Sequence, residues 1–568
     1  MPLSWSIDLT IIFAYVLLLL LLQAISQHPH IRTKMKKFME KAKSAMEDIG
    51  SSKPTGAQHA QSKVQVPMQD EPSTIQPATP ADIFKYRYHH GANLGTVFVL
   101  ERWLTGCMFN DSSQGTSELA AVESWVKKEG MEATRQRFEN HWRNYVSDAD
   151  LDWLKEVAKC TTVRLPIGYF TLGPPYCEGT PFKYVAPVYQ NAWPAVKDLV
   201  RRCKDRGIGT LIDLHGLPGG ANGGEHSGTN SGKAEFWGSR KFRELATRCI
   251  CFIAQQARNM EGVAGVQLVN EAEHNARGMY DWYSDVLKET SKIDPSMPIY
   301  ISDGWDLVQA ATWSQHINSA ARPHTSPVVV DTHLYWCFTP DDARKSPQQI
   351  TGEVWTKLHE NELKDGSVVD RGASQAVVGE YSCVLGDECW LKGAPEAKED
   401  LCRKFGGAQS QRYQQRAGGS FFWTYKMDWM PGGEWGFKQM IEQHTLLPPG
   451  SLTLEPGDVQ NRVSNARSQR DFRRGNTWGA HCQFWDSNHP GQYQHERFAQ
   501  GWDVGFDDAA TFFGMRSQHG QRGADRIGML DLWVLKRLRE SGQGGPFVWE
   551  FEQGLRQGIA DFYGCAGM

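Results

Sequence analysis

Several common devices for holding a cofactor or a partner are missing from this chain. The 12 cysteines contain no pair of CxxC motifs at zinc-ligand spacing. The Gly-rich stretch from Pro218 to Gly224 has no Lys-Ser/Thr after it and no GxGxxG frame, so it reads as a tight pocket-wall loop and not as a phosphate cradle. The 61 Lys and Arg against 65 Asp and Glu leave a net charge of -4, which gives a nucleic-acid partner no electrostatic support. Met1 to Asp8 carries no Lys or Arg, which is poor for a signal peptide. The single Asn-X-Ser/Thr sequon, Asn110-Asp111-Ser112, gives little sign of a glycosylated exterior. Cys203, Cys249 and Cys251 fall in helix-like segments as small hydrophobes. Cys383 and Cys389 stand close enough to bridge a loop, although nothing requires it, and the cysteines as a set read as reduced thiols. No metal or other cofactor is expected.

What is abundant is apolar and aromatic matter: 40% hydrophobic residues, 11% aromatic and 21 tryptophans. At 568 residues the chain accommodates one large barrel with additions, or three ordinary domains. Tryptophan is a platform for flat ligand faces such as sugar rings, although most of these belong to an aromatic core.

Leu9 to Ile25 is apolar except for Thr10 and Gln23, slightly short of the ~20 residues that match a bilayer. Arg32, Lys34, Lys36, Lys37, Lys41 and Lys43 follow it. Three readings fit residues 1–34: a membrane anchor with the rest of the chain on the cytosolic side, a cleaved signal ending near Ala24-Ile25-Ser26, or a leader ahead of a true start at Met35. Intracellular or membrane-anchored placement is favoured over secretion to the cell surface. Residues 35–81 are a basic start and a linker; Ser51 to Ala81, rich in Ser, Pro, Gln, Thr and Ala, is expected to be disordered, with order beginning near Ile83.

Strand-like runs then alternate with helix-like segments. The runs are Asn93–Leu100, Thr161–Ile167, Gly209–Leu214, Gly262–Val269, Pro298–Ser302, Val328–Leu334, Ala376–Glu380 and Gly419–Tyr425. This pattern predicts an α/β fold, a (β/α)8 TIM barrel over residues 82–449. Two of the runs end abruptly in a carboxylate: Leu268-Val269-Asn270-Glu271 and Val377-Val378-Gly379-Glu380. Barrel enzymes place their chemistry at the C-terminal ends of buried parallel strands, and two carboxylates facing one pocket are the minimum for retaining glycoside hydrolysis. His89 and His90 precede the first run and are expected to face solvent.

Taken in order, these segments resemble the motif series of glycoside hydrolase family 5, nearest its fungal exo-β-1,3-glucanase branch. The resemblance rests on Asn93-Leu-Gly, Leu100-Glu101-Arg102-Trp103, Arg164-Leu-Pro-Ile-Gly-Tyr169, Asp213-Leu-His215-Gly, Asn270-Glu271, His333-Leu-Tyr335, Gly379-Glu380-Tyr-Ser382 and Phe422-Trp423-Thr-Tyr-Lys426, spanning Tyr86 to Leu447. It implies Glu271 as general acid/base and Glu380 as nucleophile. It further implies Asn270 on the sugar 2-hydroxyl and Arg164 holding Glu380 ionised. By the same resemblance His215, His333 and Tyr335 would position sugar and nucleophile, Trp423 would be the floor under the reacting sugar, and Glu101 would grip the terminal hydroxyls. The substrate implied is a β-glucan or β-glucoside. General acid chemistry asks that the carboxyl of Glu271 be raised, partly by Glu380. Ala272 stands where the family usually has Pro, and Ala221 where secreted members carry Gln.

Residues 450–568 hold a short repeat. Phe498-Ala-Gln-Gly501-Trp-Asp-Val-Gly505 matches Phe551-Glu-Gln-Gly554-Leu-Arg-Gln-Gly558, a spacing that suits two helices in close contact through glycine. A helical extension packed on the barrel is expected, similar to that of an intracellular branch of the family. Rival readings are a non-catalytic carbohydrate-binding barrel, which should lose one carboxylate, and a metal-dependent barrel hydrolase, which needs an HxH pair where this chain has Glu101-Arg102-Trp103. A glycolipid such as a steryl glucoside is the alternative substrate.

Overall fold

The computed structural model describes residues 75–359 and 366–568. The apolar segment, the basic start and most of the linker lie outside the described residues. Within them, no helix is long and apolar enough to cross a membrane.

Eight strands form one parallel sheet: β1 (His89–Ala92), β2 (Thr162–Gly168), β3 (Gly209–Gly216), β4 (Val263–Gln267), β5 (Ile299–Ser302), β6 (Val328–Trp336), β7 (Ala376–Leu385) and β8 (Gly419–Phe422). The order runs β1-β8-β7-β6-β5-β4-β3-β2. The ring closes where Thr161 N donates to His90 O at 2.8 Å and Leu94 N donates to Arg164 O at 2.8 Å. Helices such as Ala192–Asp205, Arg240–Ala257 and Met279–Ile293 bury one apolar stripe each on the outside of the ring.

Several strand ends shift by one to three residues, and three boundaries differ for an identifiable local reason. The first strand is His89–Ala92, ahead of Asn93–Leu100, and His89 and His90 are buried, not solvated. Their rings have partners that make burial tolerable: His89 Nδ1 lies 2.8 Å from Thr162 Oγ1, and His90 Nε2 lies 3.1 Å from Ala158 O. The seventh strand continues past Glu380 to Leu385, because its pairing with β6 resumes after a register shift that sets His333 opposite Glu380. Ordered structure starts before Ile83: Thr79 and Asp82 form a reciprocal capping box at the head of helix Pro80–Tyr86.

That helix meets the C-terminal extension, with Tyr86 packing edge-on to Trp533 at 5.3 Å. The extension is built from helices Pro456–Ser468, Arg470–Asn488, His495–Gln518, Leu530–Ser541 and Val548–Cys565. Its core is shared with the barrel: Leu211, Tyr300, Val329, Val377 and Phe421 from the strands belong to the same buried cluster as Trp502, Phe506, Trp533 and Phe562. Arg87, just before β1, donates to the buried Asp525, which also takes a bond from Arg516 at 2.9 Å. The extension therefore seats against the N-terminal ends of the strands, opposite the end where the carboxylates emerge. The repeat glycines mediate its tightest contact. A Cβ on Gly501 would sit 2.1 Å from Phe551 O, and one on Gly554 would sit 1.9 Å from Phe498 O. Gly505 faces Leu555 O at 2.1 Å and Gly558 faces Trp502 O at 2.2 Å, so the two helices run parallel at backbone contact. Cys383 and Cys389 are both free thiols, as are the other cysteines.

Candidate active site

The site is assembled around Arg164, which is fully buried in β2. Its guanidinium spends every edge on side chains from other strands. Nε donates to Gln267 Oε1 at 3.0 Å, Nη1 to Asn93 Oδ1 at 2.9 Å and to Glu380 Oε1 at 2.8 Å, and Nη2 to Asn270 Oδ1 at 2.8 Å. Asp213 Oδ2 stands 3.0 Å from Nη2. Burial works against its charge, but Asp213, Asp331 and Glu380 outweigh burial and leave the guanidinium more basic than usual. A planar donor fork of this kind fixes carboxylate and amide partners in one geometry.

Glu380 is engaged at both oxygens, since Tyr335 OH donates to Oε2 at 2.9 Å. Burial first, then the charge of Glu380, pushes the Tyr335 hydroxyl far above its ordinary range, so it stays a donor. The residue before Glu380 has to be small: a Cβ on Gly379 would fall 1.8 Å from Asp331 Oδ1.

Two Asp-X-His pairs brace the pocket. The period of two along a strand puts both members on one face. On β3, His215 Nδ1 lies 2.7 Å from Asp213 Oδ2, and Asn270 Nδ2 donates to His215 Nε2 at 3.2 Å. On β6, His333 Nε2 lies 3.1 Å from Asp331 Oδ2, while Nδ1 reaches Glu271 Oε1 at 2.9 Å and Glu380 Oε2 at 3.5 Å. Burial opposes the charged ring of His333, but Glu380, Asp331 and the bond to Glu271 overcome it and hold the imidazole protonated well above its ordinary range. Asp331 was not among the residues expected from the sequence; its spacing from His333, the same as Asp213 from His215, is the signal that marks it.

Glu271 follows β4 with a positive φ of 44°, a left-handed backbone that a non-glycine residue adopts at some cost in strain. Asn222 of the Gly-rich loop holds that turn by donating to Glu271 O at 2.9 Å, and Ala272 N donates to Ser302 Oγ at 3.1 Å. The carboxyl does not show the raised pKa expected of a general acid. Burial pushes it up, but His226 and His333 outweigh burial and hold it well below the ordinary carboxylate range. Its Oε2 lies 3.2 Å from His226 Nε2. His226, on the loop after β3, carries no motif that would have revealed it.

Glu101, His215, Asn270, Glu271, Tyr335, Glu380 and Trp423 line a single cavity of about 570 Å³, a size usual for small-ligand sites. Arg164 and His333 stand behind this lining. Trp423 stacks over His215 at 6.0 Å and 14° and borders the cavity. Glu101 is buried, its pKa raised by burial, and accepts a bond from Trp103 Nε1 at 2.9 Å. Trp103, Phe338 and Trp435 add aromatic walls that the sequence did not single out, apart from Trp103. The loops after β1 and β8 are laced together across one end of the cavity: Asp428 N donates to Leu104 O at 2.8 Å and Trp429 Nε1 to Trp103 O at 2.7 Å.

Among the described residues two clusters of at least three such side chains have donor atoms within 4.8 Å of one another, Glu271-His333-Glu380 and, in the extension, His481-His495-Glu550. In the first, Glu380 already receives a guanidinium and a phenol, and Glu271 two imidazoles, a set arranged for proton and charge handling.

Comparison with known proteins places this geometry in a family. Residues 126–400 match the model of Cellulase (glycosyl hydrolase family 5), and residues 466–566 match that of the Glucan 1,3-beta-glucosidase 3 C-terminal domain. Glucan 1,3-beta-glucosidase 3 of Schizosaccharomyces pombe is 32% identical over 478 residues, covering 84% of this chain and 95% of its own. An uncharacterized glycosyl hydrolase of Saccharomyces cerevisiae is 30% identical over 511 residues, covering 86% and 94%. The crystal structure of rutinosidase from Aspergillus niger superposes with a TM-score of 0.50 at 17% identity, covering 64% of this chain and 99% of that one, a likeness of fold. The chain belongs to glycosyl hydrolase family 5 and is a glycosidase.

Proposed function

We propose that this family 5 glycosidase is an exo-acting β-glucosidase of 1,3-linked β-glucan, with Glu380 as nucleophile and Glu271 as acid/base. The observation that carries the reading is the proximity of the two carboxylates, whose oxygens approach within 4.8 Å around Nδ1 of His333. Retaining glycosidases hold their carboxyl groups about 5–5.5 Å apart, whereas inverting ones need roughly 6.5–9.5 Å to admit a water. The substrate class follows that of the relative glucan 1,3-beta-glucosidase 3 of Schizosaccharomyces pombe.

In the first step Glu380 Oε2 or Oε1 attacks C1 of the bound sugar. The C1–O bond to the leaving group breaks, its electron pair stays on the leaving oxygen, and Glu271 supplies the proton. In the second step water attacks C1, Glu271 takes the proton and Glu380 departs as carboxylate. Arg164 and Tyr335 restrain Glu380 so that one oxygen stays directed at C1. Asn270, fixed between Arg164 and His215, is placed to meet a sugar hydroxyl. Trp423 supplies the floor, and Glu101, backed by Trp103, takes terminal hydroxyls at the laced end. On this reading residues 82–449 are the catalytic barrel and 450–568 the extension that seats on its opposite end.

An exo-acting enzyme releases single glucose units. Chromatography of early products from laminarin oligosaccharides tests this: glucose alone is expected, and a ladder of mixed oligosaccharides overturns the exo reading.

A further inference from the structure

The acid step poses a problem that His226 answers. Glu271 has one imidazole on each oxygen, His333 at Oε1 and His226 at Oε2. The two are not equivalent. His333 is buried and its far ring nitrogen is locked to Asp331, so its proton is pinned on both sides. His226 is 26% exposed at its side chain and borders the open cavity. Among the described residues no second carboxylate pairs with its other ring nitrogen, and its 3.2 Å approach to Glu271 is an ion contact without the alignment of a full hydrogen bond. It sits in the short turn Glu225–Ser227, closed by Gly228 in the left-handed region at φ 87°. The proton on this ring is held by the contact with Glu271 and by the charge of the surrounding carboxylates.

We infer that His226 is a positioning residue that stores the proton Glu271 hands to the leaving group. This rests on the assignment of Glu271 as acid/base. The groups facing His226 are acidic on three sides: Glu271 after β4, Glu101 after β1 and Glu380 on β7. His215 approaches edge-on at 5.6 Å, and the neighbouring Glu225 is turned away to Thr116 Oγ1. Burial opposes protonation of His226, but the contact with Glu271 and the three carboxylates raise it to about 9. At neutral pH the pair therefore rests as imidazolium and carboxylate, a coupled couple that carries one proton between its members.

In the acid step the Nε2–H bond of His226 breaks and its electron pair remains on Nε2. The proton forms a bond to Glu271 Oε2, and the proton of that carboxyl passes to the leaving oxygen as the C1–O bond breaks. In the second step Glu271 takes a proton from the attacking water, and the proton returns to His226 Nε2. The cycle is balanced and leaves the pair as it began. One consequence is that the alkaline limb of kcat/KM belongs to the pair and lies above the limb Glu271 alone would set, because the last proton of the pair leaves near the raised value of His226.

The test uses the full chain with His226→Gln, which keeps an N–H donor and cannot titrate, and with His226→Ala. kcat/KM is measured from pH 5 to 10 on an alkyl β-glucoside, whose leaving group needs a proton, and on a dinitrophenyl β-glucoside, whose leaving group does not. For the alkyl substrate both variants are expected to lose about 10- to 100-fold at neutral pH, the range typical of a lost proton-transfer aid, and the alkaline limb falls by at least one unit. For the dinitrophenyl substrate the loss stays within about threefold. Added imidazole partly restores the alkyl rate of His226→Ala. Equal losses on both substrates, or an alkaline limb that does not move, overturn the inference. Glu271→Ala, assayed on the same pair, separates the two claims: equal losses there defeat the acid/base assignment itself, whereas a split there with no split for His226 defeats the proton store alone.

Discussion

Glu271, just after β4, and Glu380, within β7, bring carboxylate oxygens within 4.8 Å of each other, and Nδ1 of His333 stands within reach of both. Carboxylates this close suit the short separation of retaining enzymes, in which the proposed nucleophile Glu380 would open the displacement. The first-formed sugar is expected to keep the β configuration. Proton NMR during the opening minutes of hydrolysis distinguishes this from an α product, which would require an inverting mechanism.

The parallel glycine contact in the extension is sharp enough to test by adding one carbon. Gly554→Ala places a Cβ 1.9 Å from Phe498 O, and either helix must move. A loss of about 1–3 kcal/mol is expected from overpacking of this kind, read as a lower urea midpoint. Gly475→Ala is the control, since its Cβ meets nothing within 4 Å and it lies inside helix Arg470–Asn488. That variant should be neutral or gain up to about 1 kcal/mol from helix propensity. Equal effects from the two would mean that the contact between the helices is not close-packed in solution.

Two buried histidines give the fold an acid sensitivity. Burial lowers His89 to about 3 and His90 to about 4, from 6.5. Their folded values are depressed, so the unfolded chain binds protons first as pH drops. The stability from keeping them neutral is complete above pH 6.5 and is lost as pH falls through 6.5 towards 4. Between pH 6.5 and 5 each contributes a loss of about 2 kcal/mol, at about 1.4 kcal/mol per unit. The melting temperature should decline over that window, and His90→Gln, which retains a donor for Ala158 O, should flatten the decline. An unchanged slope in that variant would show that other groups set the acid limit.

The catalytic end of the barrel was legible because apolar runs that stop at a carboxylate leave a strong trace, and Glu271, Glu380, Arg164 and His333 are all brought to one pocket. What escaped is what depends on partners distant in sequence. His89 and His90 look like loop residues until Thr162 and Ala158 supply their hydrogen bonds. Glu380 looks like a strand end until β6 is seen to pair beyond it. The helix start at Pro80 needed attention to the local Thr79–Asp82 box, which composition alone hid under a linker. The lowered pKa of Glu271 follows from two imidazoles, one of them on a loop with no recognisable motif.

The most direct test of the central claim is Glu380→Ala with azide. Loss of the carboxylate removes the only attacking oxygen and opens space on that face of the sugar, so turnover of an activated β-glucoside should vanish and return with added azide as the α-glucosyl azide. Glu271→Ala should keep activity on the same activated substrate and lose it on one whose leaving group needs a proton. If Glu380→Ala retains ordinary hydrolysis, or azide gives only the β-glucosyl product, then Glu380 is not the nucleophile.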